Sequence, residues 1–181
     1  MFKSFPLHFF LYKLNKNWHE YYIFIKNIFQ NTIITKTNSF LNKMEEIEIK
    51  IVKEWNIDEI VELYKAGNWW KDCYDKKEIP NLIKGSYLFA VVVLKNSNKA
   101  VAMGRVLSDG KSDAYLQDIV VKKEYREKGY GKRLIEFLIR TLIDRKITWI
   151  SLIAEPGQDE FYNKLGFRKM KDYVPMKYVG K

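Results

Sequence analysis

The segment from Asp118 to Leu134 limits the fold of this chain more than any other. It reads Asp118-Ile119-Val120-Val121-Lys122-Lys123-Glu124-Tyr125-Arg126-Glu127-Lys128-Gly129-Tyr130-Gly131-Lys132-Arg133-Leu134. A β-branched apolar run ends, a basic loop with two glycines follows, and helical periodicity then runs over Leu134–Ile143. A second apolar run, Ile147–Ala154, comes next and is broken by Pro156-Gly157. Strand, helix and strand in this order predict a right-handed parallel crossover. The loop has its own chemistry. Glycines let main chain approach a ligand closely and present its N–H groups. A helix N-terminus adds unpaired donors and partial positive charge, each contact worth about 0.3–1 kcal/mol. Lys128, Lys132 and Arg133 add full charges. The loop therefore suits a phosphorylated ligand. It does not fit a P-loop, because Arg133 follows Gly131-Lys132 and no hydroxyl is placed for magnesium. Nor does it fit a dinucleotide fingerprint, because several residues separate Val121 from Gly129 and Leu134 occupies the third glycine position.

Around this segment the hydrophobic pattern predicts the remaining elements. Ile47, Ile49 and Ile51 alternate with charged residues, as in a half-buried strand. Asn56 and Glu59 form a helix-capping pair for a helix that places Ile57, Ile60, Val61 and Tyr64 on one face and stops near Gly67. A short helix containing Pro80 ends at Lys84, with Gly85 as its cap. Tyr87–Leu94 and Val101–Leu107 make a hairpin through Asn96–Lys99. Asp109-Gly110 turns into the strand Tyr115–Val121, Asp159–Leu165 is a short helix stopped by Gly166, and Phe167–Val179 supplies one or two closing strands. The predicted fold class is mixed α/β. The sheet is mostly antiparallel, has one parallel β-α-β crossover and carries helices on both faces.

Composition narrows the chemistry. The chain has 181 residues, a net charge of +10, one cysteine and two histidines. The charge favours an anionic partner without choosing among phosphate ligands, nucleic acid and membrane. Cys73 alone makes neither an intrachain disulfide nor a multi-cysteine zinc site, which fits a reducing, cytoplasmic setting. His8 and His19 both lie near the N-terminus, so a domain starting later has no histidine for a Ser–His–Asp or Cys–His system and no histidine metal site. Any base there is a carboxylate, tyrosine, lysine or water.

Residues 1–43 read as a separate extension. They have six lysines, one glutamate and no glycine, and are rich in Phe, Asn, Ile and Tyr. Their apolar runs are too short for a membrane span, and no small-residue cleavage site follows. One reading is a basic aromatic helix at a membrane interface. The favoured reading is a translation start at Met44, because AT-rich DNA encodes these residues by default. The domain of interest is then residues 44–181.

Two motifs carry a family resemblance over Met44 to about Tyr178. Arg126-x-x-Gly129-Tyr130-Gly131 resembles the Gln/Arg-x-x-Gly-x-Gly/Ala signature of the GNAT superfamily of N-acetyltransferases. Phe161-Tyr162-Asn163-Lys164-Leu165-Gly166-Phe167 resembles the Phe-Tyr-x-x-x-Gly-Phe segment found at this distance in the same superfamily. The resemblance implies the acyl-CoA N-acyltransferase fold, with acetyl-CoA as co-substrate between splayed strands. It implies that main-chain amides of the loop Arg126, Glu127, Lys128, Gly129, Tyr130, Gly131 and Lys132, chiefly those from Lys128 to Lys132, hold the pyrophosphate. It also implies that the main chain of Ile119, Val120 and Val121 pairs with the pantetheine arm.

Acetyl transfer poses two proton problems. The amine must lose a proton before attack, and the departing thiolate gains from receiving one. A thiol ionises near ~8.5 and a tyrosine near ~10, so a phenol can protonate a forming thiolate. The family's tyrosine maps to Tyr162, the candidate acid. Tyr115-Leu116-Gln117-Asp118 is similar to a segment of polyamine acetyltransferases. Ser108 to Val121 resembles plant and cyanobacterial serotonin (arylalkylamine) acetyltransferases. Asp118 is then a candidate base or amine holder, against the plainer roles of capping a bulge or pairing with a lysine. Glu155 departs from the family's usual asparagine and is a second acid/base candidate. Trp69 and Trp70 are candidates for an acceptor wall or for plain packing. The expected acceptor is a small-molecule amine, with a protein or peptide amine as alternative. A non-catalytic acyl-CoA-binding module and a nucleic-acid binder are the other classes weighed. No nucleic-acid motif accompanies the charge. Members of the superfamily often dimerise, so a homodimer is compatible.

Overall fold

The computed structural model describes residues 45–180. The extension 1–43, with both histidines, lies outside them. From Glu46 on, the chain forms one compact unit. Five strands form a sheet in sequential order: β1 (Ile47–Ile51), β2 (Leu88–Leu94), β3 (Ala100–Ser108), β4 (Asp113–Val121) and β5 (Trp149–Ser151). The first three junctions are antiparallel and β4–β5 is parallel. The helices are α1 (Ile57–Ala66), α2 (Ile79–Gly85), α3 (Tyr130–Asp144) and α4 (Asp159–Asn163). Short 3-10 turns at Lys76–Glu78 and Lys123–Tyr125 complete the order. This is the mixed sheet with one parallel crossover that the pattern predicts.

Two apolar layers sandwich the sheet, and β2 shows why. Its seven residues, Leu-Phe-Ala-Val-Val-Val-Leu, are all buried, as a strand covered on both faces requires. Leu88, Ala90, Val92 and Leu94 join one layer with Leu134, Ile135, Leu138 and Leu142 of α3. Phe89, Val91 and Val93 join the other with Ile60, Leu63 and Tyr64 of α1 and Ile79 and Ile83 of α2. Each such side chain contributes about 1.5–3 kcal/mol by leaving water. The layer under α3 fixes the start of that helix, and hence the glycine loop.

Four local expectations change. Asn56 does cap α1, accepting from the Glu59 amide at 3.0 Å. The Glu59 carboxylate, however, accepts from the Trp55 indole (2.8 Å) and the Ala100 amide (3.0 Å) and does not close a reciprocal box. α2 runs through Gly85, and Ser86 in extended conformation ends it. The run Ile147–Ala154 yields only a three-residue strand, because the chain leaves the sheet at Leu152 to build the turn where the Gln158 N–H reaches the Glu155 carbonyl at 3.0 Å. Finally, 168–180 contains no strand. Its apolar residues Met170, Tyr173, Val174, Met176, Tyr178 and Val179 are 47–92 % exposed. Pro175 among them has no N–H to give to a ladder.

Candidate active site

The site forms where β4 and β5 part company. They pair only at Asp113–Trp149, Ala114–Ile150 and Tyr115–Ser151. From Leu116 to Val121, the edge of β4 toward β5 has no strand partner among the described residues. A β-bulge lies in this stretch. Met103 faces Val120 and Arg105 faces Gln117, so β4 carries one residue more than β3 between them. Asp118 takes up the excess with φ of 55°, in the left-handed region. Gly104 lies opposite, and a Cβ there would stand 2.5 Å from Ile119 Cδ1. A bulge re-aims a strand and ends its pairing, and here it does so beside the gap.

The phosphate-type end of the site is made of main chain. After the Lys123–Tyr125 turn, Glu127 (φ 61°) and Gly129 (φ 78°) both take left-handed conformations. Gly129 is the N-cap of α3, and no side chain caps that terminus. The first helical bond is the Arg133 N–H to the Gly129 carbonyl at 3.1 Å. The amides of Gly131 and Lys132 thus precede any intrahelical acceptor. A Cβ on Gly131 would meet Val121 at 3.4 Å and Phe161 at 3.8 Å. The missing side chain matters for what approaches the helix end more than for folding.

The loop's side chains divide by task. Tyr130 is buried in the α3 layer and anchors the turn. Arg126 donates from Nε to the Val121 carbonyl (3.0 Å) and from a terminal nitrogen to the Ala66 carbonyl at the end of α1 (3.1 Å). It holds the loop in shape and satisfies a helix C-terminus. Lys128 lies over the Tyr125 ring at 4.8 Å. Lys132 extends along α3 to 3.8 Å from Glu136. Lys122 pairs with Glu62 of α1 at 2.6 Å, and that pairing holds the Glu62 carboxyl below its usual range.

The other end is made of side chains. Tyr162 on α4 is half-buried between the rings of Phe161 (5.2 Å) and Phe167 (5.8 Å), both edge-on. Its carbonyl receives the N–H groups of Leu165 (3.0 Å) and Phe167 (3.1 Å) across the left-handed Gly166 (φ 95°). The Phe-Tyr-x-x-x-Gly-Phe pattern is this turn. Burial raises the Tyr162 phenol above its ordinary pKa, and the Glu155 charge raises it further. It therefore stays protonated through neutral pH, as a proton donor must. Glu155 is exposed. Tyr162 and Glu155 share with Tyr115, Ile150, Leu152 and Ala154 the wall of an open cleft of about 1040 Å³.

Asp118 is not solitary. Its Oδ2 accepts from the Tyr64 hydroxyl at 2.7 Å and from Arg105 Nε at 2.6 Å. The Arg105 and Asp118 side chains are only 16 % and 17 % exposed. Its partner is an arginine rather than the lysine anticipated among its plainer roles. Burial and the neighbouring Asp118 push the Tyr64 phenol far above its usual pKa, so it remains a donor. Sequence reading missed both partners. Tyr64 counted only as a core-face residue of α1, and the one available signal for Arg105 was a lone charge inside Val101–Leu107. Gln117 Oε1, opposite Arg105, is buried and has no hydrogen-bond partner among the described residues. Trp69 packs edge-on to Tyr64 (6.3 Å) and occupies the space beside Gly67, and Trp70 meets Tyr74 (5.8 Å). Both indoles pack against the α1 layer. Cys73 is exposed.

Known proteins resemble this arrangement. The model of the acetyltransferase (GNAT) domain matches residues 87–169. An uncharacterized N-acetyltransferase, ycf52, of Pyropia yezoensis is 33 % identical over 84 % of this chain and 95 % of its own. Shorter matches are a histone acetyltransferase of Glycine max (44 % identical, 38 % of this chain, 30 % of its own) and the chloroplastic serotonin N-acetyltransferase 2 of Oryza sativa (32 % identical, 44 % of this chain, 40 % of its own). A GNAT-family acetyltransferase of Streptococcus pneumoniae has the same fold, with a TM-score of 0.63 and 20 % identity over 75 % of this chain and 99 % of its own. With the sequence kinship to ycf52 and the shared fold, this chain belongs to the GNAT superfamily of N-acetyltransferases and is an acyl-CoA-dependent acyltransferase.

Proposed function

We propose that this protein transfers the acetyl group of acetyl-CoA directly to the primary amine of a small molecule. The observation that carries this reading is Tyr162. Its phenol is kept protonated by burial and by Glu155, in a cleft whose wall includes β5 and Tyr115, the last β4 residue paired with it. A non-catalytic acyl-CoA-binding module needs the uncapped amides of Gly131 and Lys132 but has no use for such a donor.

In this reading the main chain of Lys128–Lys132 holds the pyrophosphate, and Ile119–Val121 line up the pantetheine arm. The amine lone pair forms a bond to the thioester carbonyl carbon, and the carbon–sulfur bond breaks. Tyr162 gives its proton to the departing thiolate, and the surplus amine proton leaves to water or Glu155. Acid–base help of this kind is typically worth about 10²–10⁴-fold.

For the acceptor, the serotonin N-acetyltransferase of rice supports a small arylalkylamine. The histone acetyltransferase of soybean supports the second reading, a protein or peptide amine. We place the enzyme in a reducing compartment, on the single exposed cysteine. The chloroplastic relative adds a plastid to the cytoplasm as a candidate. Among the described residues no helix is long and apolar enough to cross a membrane. The test is acetyl-CoA turnover across arylalkylamines, polyamines and peptides, followed by thiol release. Acetyl-CoA binding with no transfer to any of them defeats the proposal.

A further inference from the structure

The reaction offers Asp118 a role as proton acceptor, but its surroundings describe a different task. It is the extra residue of the β4 bulge, held at φ 55°. Left-handed conformations cost a non-glycine residue of order 1–3 kcal/mol and persist only where surrounding contacts enforce them. Here the enforcing contacts are visible. Arg105 reaches Asp118 from the adjacent strand and Tyr64 reaches it from α1, both onto Oδ2. A guanidinium and a phenol both donate to one carboxylate oxygen, which ties that oxygen to β3 and α1 rather than to an incoming amine. The bulge sits three residues beyond Tyr115, the last β4 residue paired with β5. Whatever fixes the bulge therefore sets the direction in which the open, β5-side edge of Ile119–Val121 points.

We propose that Asp118 is a positioning residue: clamped by Arg105 and Tyr64, it locks the bulge of β4, aims the main chain of Ile119–Val121 at acyl-CoA, and leaves the amine's proton to another group. The proposal rests on the acetyl-CoA reading above. It also assigns Arg105 and Tyr64 a task, since through them α1 and β3 set the geometry of the acyl-CoA strand.

Three variants test it, with acetyl-CoA affinity measured by calorimetry apart from turnover. Asp118→Ala removes the clamp and is expected to weaken acetyl-CoA binding about tenfold or more. Asp118→Asn keeps an oxygen for both donors and tolerates a left-handed backbone. It is expected to restore affinity to within about threefold of wild type and to keep the wild-type pH profile of kcat. Tyr64→Phe, which removes one donor, is expected to weaken acetyl-CoA binding about threefold or more without moving that profile. Should Asp118→Asn leave the mostly buried Arg105 charge unpaired and so prevent folding, the neutral pair Arg105→Gln/Asp118→Asn takes its place. The proposal is overturned if the asparagine variant binds acetyl-CoA normally yet loses about 10²-fold or more in kcat with the ionisation limb gone, because Asp118 is then the base. It is equally overturned if Tyr64→Phe and Asp118→Ala bind acetyl-CoA as wild type does. If wild type acetylates no amine, the functional proposal fails, while the affinity pattern still decides the role of Asp118.

Discussion

The two ends of the site are built from different materials. At the α3 end, the groups on offer to a ligand are main chain: a left-handed Gly129, a Gly131 without a side chain, and uncapped amides. At the other end, Tyr162, Glu155 and the Asp118–Arg105–Tyr64 clamp are side chains from β3, β4, α1, α4 and the turn after β5. The first kind of site is written in one continuous stretch, so a short motif identifies it. The second depends on residues as far apart in sequence as Tyr64 and Asp118, and no motif spans them. The comparison teaches that the groups proposed to hold the co-substrate are encoded locally, whereas those proposed for the chemistry are assembled by folding.

The contrast is open to measurement. The largest effect belongs to the side-chain end. Tyr162→Phe is expected to lower kcat by about 10²-fold or more with little change in acetyl-CoA affinity. Equal turnover by the two proteins removes Tyr162 from the mechanism. At the main-chain end, Gly131→Ala is expected to weaken acetyl-CoA binding by about tenfold or more while the melting temperature moves little, since a Cβ there meets only ordinary contacts at 3.4 and 3.8 Å. Unchanged affinity in a calorimetric titration breaks the assignment of the helix start.

Glu155→Gln should show how the side-chain end is tuned. The Glu155 charge raises the Tyr162 pKa, so its removal lowers that pKa. The alkaline limb of the kcat–pH profile is then expected at lower pH than in wild type. A limb that stays in place separates the two residues. The smallest effect is structural. Glu62, held below its usual pKa by Lys122, contributes stability that is present above its unfolded pKa and is lost as the pH falls through its lower folded pKa. As an exposed pair it is worth about 0.2–1 kcal/mol, and Glu62→Gln should remove that from neutral-pH denaturant melts but not from strongly acidic ones.

Where reading the sequence stopped short, the reasons are physical. The strand at Ile147–Ala154 was overdrawn because an apolar run records burial and not pairing. Ile150 and Leu152 both pack on the α3 layer, yet only Ile150 lies in the strand. The tail after Phe167 has β-type residues but no ladder, since strand pairing needs a neighbour that local pattern does not specify. Arg126 illustrates a motif residue whose position was legible and whose contacts were not. Its guanidinium binds the carbonyls of Val121 and Ala66, and the second of these lies on α1.

Sequence by itself determined the order of elements as far as α4, the antiparallel β2–β3 hairpin, the parallel crossover and the glycine-marked start of α3. Each of these depends on periodicity or on the backbone freedom of a residue and its close neighbours. Only the tertiary structure decided that β4 bulges at Asp118, that Arg105 and Tyr64 close on its carboxylate, and that Glu155 lies near enough to tune Tyr162. Those relations need elements distant in the chain to be packed together, and a distance of a few ångströms between them is set by the whole core rather than by any one segment.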